Sequence, residues 1–142
     1  MTTDLKALIR RYWGEPFNTG NLAVVDEVVA ADYVWHGGGR EVRGPEGCKS
    51  LFAPFLTGFA ERQWTADGQI AEGDQVATRW TFTGTHVGPF RGIPPTGRRV
   101  TTTGIVVSRV VGGRVVEEWE WMDGAGLLRQ LETATTPPTA AE

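Results

Sequence analysis

Residues 99–122 read RVTTTGIVVSRVVGGRVVEEWEWM, two runs of β-branched and aromatic residues about a Gly112-Gly113 pair. Val, Ile, Thr and Trp suit a pleated, half-buried surface, and two glycines between such runs signal a tight hairpin. The spacing predicts one strand over 99–111 and a last strand over 114–122. Upstream, Val76, Thr78, Trp80 and Phe82 alternate with Ala77, Arg79, Thr81 and Thr83, so the two sets occupy opposite faces of a further strand. Residues 63–72 make the strand before it, with Gly73-Asp74 as its turn.

Before Phe59 the period is helical. Leu5, Leu8, Ile9, Tyr12 and Trp13 lie on one stripe of a helix over 4–14, with Pro16 beyond its end. Leu22, Val25, Val28 and Val29 line a second, short helix. Asp32 to His36 reads as a short strand stopped by Gly37-Gly38-Gly39. A third helix starts at Arg43-Gly44-Pro45, buries Leu51, Phe52, Phe55, Leu56 and Phe59, and is expected to kink at Pro54. Leu127 to Leu131 is a last helical turn. Helices followed by a run of strands argue for the α+β class, with a sheet that curls to cover its bulky face. The expected layout is one domain over residues 1–132 and a disordered Thr/Ala/Pro-rich tail over 133–142.

Composition narrows the function. The 142 residues carry a formal net charge of −3 and show no basic run, which argues against a nucleic-acid partner. Cys48 is the only cysteine and His36 and His86 the only histidines, so a thiolate cluster or zinc site is not expected. No stretch approaches a membrane span and the start does not read as a signal peptide, so the expected location is the cytoplasm. Six tryptophans, at 13, 35, 64, 80, 119 and 121, either build a bulky core or line a cavity for a flat ligand.

Strict alternation along the last strand puts Val115, Glu117, Trp119, Trp121 and Asp123 on one face and Val116, Glu118, Glu120 and Met122 on the other. Asp123 then emerges beside two indoles, where partial desolvation would raise its pKa and suit it to abstract a proton next to a carbonyl. The same residue precedes Gly124 and equally suits a helix cap or turn. Glu117 shares that face and is a possible carboxylate partner. His86, in Gly84-Thr85-His86-Val87-Gly88, is either a donor to a substrate oxygen or a structural group; His36, at a strand end, carries the same two readings. Arg79, opposite the Trp80 face, is expected to pair with a carboxylate on the outer surface or at an interface. Val106, Val116 and Met122 are expected on that outer face, where they favour a homodimer or higher oligomer by sheet packing.

Three blocks in order resemble the SnoaL-like family of small polyketide cyclases. They are Ile70 to Arg79; Gly84-Thr85-His86-Val87-Gly88 running to Gly92-Ile93-Pro94-Pro95-Thr96-Gly97-Arg98; and Gly113 to Glu117 followed by Trp121-Met122-Asp123 and Leu128-Arg129-Gln130-Leu131. The resemblance spans residues 5–131 and implies a cone-shaped α+β barrel, related to ketosteroid isomerase and nuclear transport factor 2. It implies intramolecular aldol cyclisation of an aromatic polyketide without metal or organic cofactor. Asp123 matches the family's general base, with His86 and His36 as further catalytic candidates. Trp35, Trp80, Phe82, Trp119, Trp121, Phe52 and Phe55 are the expected substrate-binding residues. The chain departs from the family in having Trp35, Gly104 and Val106 where cyclases place polar pocket side chains, so the usual oxyanion donors are missing. A hydroxylase or isomerase on the same pocket, and a binding protein without turnover, are the alternatives.

Overall fold

A computed structural model describes residues 4–133; the expected tail falls almost wholly outside them. Helices α1 (Leu5–Thr19), α2 (Ala23–Val28) and α3 (Gly44–Gly58) and strands β1 (Val29–Gly37) and β2 (Arg40–Arg43) come first. Strands β3 (Phe59–Glu72), β4 (Gln75–His86), β5 (Arg99–Val111) and β6 (Arg114–Met122) follow, and α4 (Gly124–Thr133) closes the described chain. Six strands form one curved sheet in the order β2-β1-β6-β5-β4-β3. All neighbours are antiparallel except β1 and β6, which run parallel. This is the mixed α+β architecture expected.

Several boundaries differ from the sequence reading for physical reasons. Helix α1 continues through Pro16 to Thr19, capped by Asp4 at its start and by a left-handed Gly20 whose N–H returns to the Pro16 carbonyl. Pro54 likewise stays within α3. The three glycines after His36 do not end the sheet: Gly38 and Gly39 turn the chain into β2, which pairs back on β1. Two residues bind the ends of the layers together. Arg62 donates to the carbonyls of Phe17, Leu56 and Phe59, and Asn18 exchanges hydrogen bonds with the Trp64 backbone.

The sheet's inner face and the helices share one core. Val76, Thr78, Trp80 and Phe82 of β4 point inward as the alternation predicts. Phe17 of α1 packs on Phe52, Phe55 and Phe82 with ring centroids 5.0–5.6 Å apart, edge-on or tilted as aromatic quadrupoles favour.

The last strand carries the correction that matters most. Val115 of β6 pairs with Val110, but Glu117 pairs with Arg109, so Val116 is an extra residue in the ladder. A β-bulge of one residue reverses the facing of everything after it. Glu118, Glu120 and Met122 therefore point inward, and Glu117, Trp119, Trp121 and Asp123 point outward. Trp121 is 64% exposed, and Glu118 is fully buried. Val106 is also fully buried, and the outer face instead exposes Ile105 and Trp121, cross-strand partners that are 44% and 64% exposed.

Candidate functional site

A cavity of about 700 Å³ lies between α3, the turn at 38–39, the loop at 88–93 and the inner face of the sheet. That volume falls within the roughly 300–1,000 Å³ of small-molecule sites. Trp13, Trp35, Trp80, Phe55, Phe82 and Phe90 supply its apolar wall. Its charged lining residues are Glu120, Arg40 and Arg91.

Register explains how the wall is built. Across the sheet, Trp80 of β4 faces Gly104 of β5, which faces Met122 of β6. A side chain at Gly104 would meet the Trp80 ring at 2.4 Å. The glycine is the space into which that indole lies. One rung along, Val106 pairs with Glu120, and Glu120 pairs with Gly37 of β1. Gly37 makes room for the Trp35 ring, which a side chain there would meet at 2.4 Å, and that ring lies beside Glu120 in the cavity wall.

The Glu120 Oε1 accepts from Trp35 Nε1 at 3.1 Å. Burial pushes its pKa up, the neighbouring Glu118 adds to this, and the two indoles Trp35 and Trp80 pull weakly the other way; the result is about 8. Glu120 is half-buried and lines the cavity. Trp80 Nε1 is itself buried and has no hydrogen-bond partner. It lies close enough to Glu120 to lower that pKa without meeting hydrogen-bond geometry.

Behind the wall, Glu118 gathers four donors. Tyr12 and Tyr33 give their hydroxyls to Oε1 at 2.9 and 2.6 Å. Trp13 Nε1 and Ser108 Oγ give theirs to Oε2 at 2.8 and 2.6 Å. Burial raises the Glu118 pKa, and the four donors oppose that rise. Cys48 Sγ lies 3.0 Å from the Tyr12 hydroxyl; since that hydroxyl's proton goes to Glu118, the thiol is the donor. Burial pushes the Cys48 thiol up to about 12, so it stays protonated and is no nucleophile.

The sequence-predicted residues divide sharply. Trp35, Trp80, Phe82 and Phe55 line the cavity. Phe52 is fully buried one layer back, tilted against Trp13 at 5.0 Å. Asp123 does not line the cavity: it is exposed, and its Oδ1 accepts the Gly126 N–H at 2.9 Å as the cap of α4. Trp119 and Trp121 lie on the outer face because of the bulge, Trp119 stacked on His36 with centroids 5.6 Å apart. His36 is also outside, held by Glu117 at 2.7 Å and Glu41 at 3.4 Å. Glu117 is shared with Arg109 and has its pKa lowered first by His36, so it forms no carboxylate pair with Asp123. Arg79 makes only a long contact to the Asp67 carbonyl, at 3.5 Å.

His86 is fully buried and away from the cavity. The Thr96 N–H donates to its Nδ1 at 3.1 Å, which leaves the ring proton on Nε2, a position without a partner. Its backbone bonds to Arg98 and Gly97 fasten both ends of the 86–98 loop. That loop is also fixed to α3, where Val87 and Gly88 donate to the Gly58 carbonyl and a side chain at Gly88 would strike the Thr57 carbonyl at 2.3 Å. His86 thus positions the loop that brings Phe90 and Arg91 to the cavity.

Glu118, Glu120, Arg40 and Arg91 escaped the sequence reading. The available signal was the adjacent pair Val115-Val116: two β-branched residues in succession admit an inner-facing residue and a bulge, after which EEWEW reads with its glutamates inward.

Among the described residues no group of three or more His, Cys, Asp and Glu side chains has metal-site geometry, and no helix is long and apolar enough to cross a membrane. A model of the SnoaL-like polyketide cyclase family matches residues 7–131. The aklanonic acid methyl ester cyclase DnrD of Streptomyces peucetius is 32% identical over 135 residues, 92% of each chain. The nogalonic acid methyl ester cyclase of Streptomyces nogalater is 33% identical over 81% of this chain and 88% of its own. The crystal structure of AclR from Streptomyces galilaeus, a proposed hydroxylase, superposes with a TM-score of 0.81 at 32% identity, covering 93% of this chain and 96% of that one.

Proposed function

The chain belongs to the SnoaL-like polyketide cyclase family, and from that premise we propose that it closes a ring of a flat aromatic polyketide by intramolecular aldol condensation, with Glu120 as the base. The observation that carries this reading is the Glu120 carboxyl, inside an aromatic-walled cavity and raised to about 8. A base near the working pH is strong enough to take a carbon-bound proton and acidic enough to return it.

The step balances without an added reactant. The Glu120 carboxylate removes a proton α to a carbonyl, leaving an enolate. The enolate carbon attacks a second carbonyl of the same molecule, forming a C–C bond and an alkoxide. Glu120 then gives its proton to that alkoxide. On this reading the Trp80 N–H, on a ring that lines the cavity and without a hydrogen-bond partner among the described residues, donates to the developing enolate oxygen in place of the polar side chains absent at Gly104 and Val106. Incubating a model aryl ketone in deuterated buffer tests the first step: α-deuterium incorporation is expected with the natural chain and lost with Glu120→Gln.

The likeness to AclR favours one second reading, hydroxylation on the same cavity. Consumption of oxygen with product formation, and no α-exchange, would select it. In either reading two copies meet through the outer sheet face, where Ile105 and Trp121 form an exposed apolar centre on the same face as Glu117, which is bound to His36 and Arg109. Sedimentation at micromolar concentration tests this, a monomer for the natural chain being the adverse result.

A further inference from the structure

The chain as a whole is acidic, with a formal net charge of −3, yet the charged groups lining its cavity are two arginines and one glutamate. When Glu120 holds its proton, both charges there are positive. Neither guanidinium is paired with an acidic side chain among the described residues. Arg40 and Arg91 make no ion pair or side-chain hydrogen bond to a described residue, whereas Arg43 is paired with Glu41 at 2.9 Å and Arg109, on the outer face, with Glu117 at 3.3 Å.

Each free arginine is backed by a wall aromatic. The Arg40 guanidinium lies 5.6 Å from the Trp35 ring centroid and that of Arg91 lies 5.1 Å from the Phe90 ring. Stacking of this kind holds a guanidinium in place through its face and leaves its edge N–H groups free to meet a carboxylate.

The backbone at Arg91 is a second, independent sign. Phe90 and Ile93 exchange both backbone hydrogen bonds, at 3.0 and 2.9 Å, around a two-residue turn. Arg91 and Gly92 occupy its centre with φ of 48° and 81°. Both centres of such a turn favour Gly, Asn or Asp. A long side chain in a left-handed conformation is disfavoured and points to a use for the side chain itself. The loop anchored by His86 and Gly88 holds that turn against the cavity.

We propose that the cavity takes an aromatic substrate bearing a free carboxylate, with Arg40 and Arg91 gripping the carboxylate at the mouth and the ring system lying along Trp35, Trp80 and Phe90. This rests on the reading of the cavity as the site for a flat polyketide. It adds that this chain prefers the acid to a methyl ester, the form that the names of two relatives specify.

Anthraquinone-2-carboxylate and its methyl ester separate the two claims. Binding is read by quenching of tryptophan fluorescence, since Trp13, Trp35 and Trp80 line the cavity. The acid is expected to bind at least tenfold tighter than the ester, and to lose that advantage at high salt. In the double variant Arg40→Gln/Arg91→Gln the acid is expected to weaken tenfold or more and the ester less than twofold. Arg40→Lys/Arg91→Lys should restore part of the loss. Both side chains are exposed, and circular dichroism is expected to show an unchanged fold. Equal affinities in the natural chain, or an acid affinity untouched by the double glutamine variant, overturn the arginine grip and leave the cavity reading intact. Binding of neither compound overturns both.

Discussion

Glu118 and Glu120 stand two residues apart on the same face of β6, about 7 Å along the strand, and differ in what surrounds them. Glu118 is sealed in the core with four donors, and Glu120 faces the cavity with Trp35 as its direct donor. The buried charge of the first raises the pKa of the second. On the proposed reading Glu120 is the carboxyl that exchanges protons, and Glu118, held by four donors, helps set its environment.

Replacing the cavity carboxylate should remove turnover. Glu120→Gln keeps the size and the Trp35 contact but cannot accept a proton, and a loss of about 10²–10⁴-fold in kcat is expected for a missing general base. In the natural chain the rate should rise with pH through about 8, where Glu120 becomes the carboxylate. A rate profile flat from pH 6 to 9, or a Glu120→Gln variant at full rate, would sink the assignment.

The same group should appear in stability. Its pKa is about 8 when folded against an ordinary 4.5. The folded state therefore favours the neutral acid, and stability is fully present below 4.5 and lost as pH rises toward 8. The loss is at most about 1.4 kcal/mol per pH unit. Urea titrations at several pH values should show this decline in the natural chain and a flatter response in Glu120→Gln.

Glu118→Gln tests the coupling. Removing the neighbouring charge leaves burial as the chief cause of the Glu120 shift, so the rate limb should move below 8 without disappearing. A merely structural Glu118 would change stability and leave the limb in place. Some stability will be lost as well, about 1–3 kcal/mol, because the amide cannot accept from all four donors.

Much of the architecture was legible because periodicity reports it directly. The inward set Val76, Thr78, Trp80 and Phe82 follows from alternation alone, and four of the seven expected cavity aromatics line the cavity. Facing on β6 was not legible, because parity counted from Val115 fails once Val116 bulges. That single residue moved Trp119, Trp121 and Asp123 outward and brought Glu118 and Glu120 in. The arginines were hidden for another reason: Arg40 opens β2 and Arg91 lies in a turn 51 positions on, and only the folding of α3 and the 86–98 loop over the sheet brings both to one cavity.

Trp80 offers a donor test. Trp80→Phe keeps an aromatic wall and removes the N–H that has no partner in the protein. If that N–H binds the enolate oxygen, kcat should fall about 10²-fold, in the range for one oxyanion donor, with little change in KM. Gly104→Ala should push on the same indole, which the new methyl would meet at 2.4 Å, and should also cost stability, because the methyl would meet the Trp121 carbonyl at 2.6 Å. There the expected loss is in ligand binding. Unchanged kinetics in Trp80→Phe would leave the oxyanion without this donor.

Asp123 separates family resemblance from local geometry. Its side chain caps α4 through Gly126, and α4 buries Leu127 and Leu131 against the core. Asp123→Ala should therefore cost about 1 kcal/mol of stability, the usual value of a lost cap. Asp123→Asn retains a capping oxygen and should cost much less. With Glu120 as the base, both variants should turn over at rates within a few-fold of the natural chain once temperature is kept below their melting points. The opposite pattern, a folded and stable Asp123→Asn protein reduced by several orders of magnitude while Glu120→Gln stays active, would return the base to Asp123. It would also require α4 to move during the reaction, because in the present arrangement that carboxylate is engaged with the helix and does not line the cavity. Hydrogen exchange at the Gly126 amide in the presence of ligand would report such a movement.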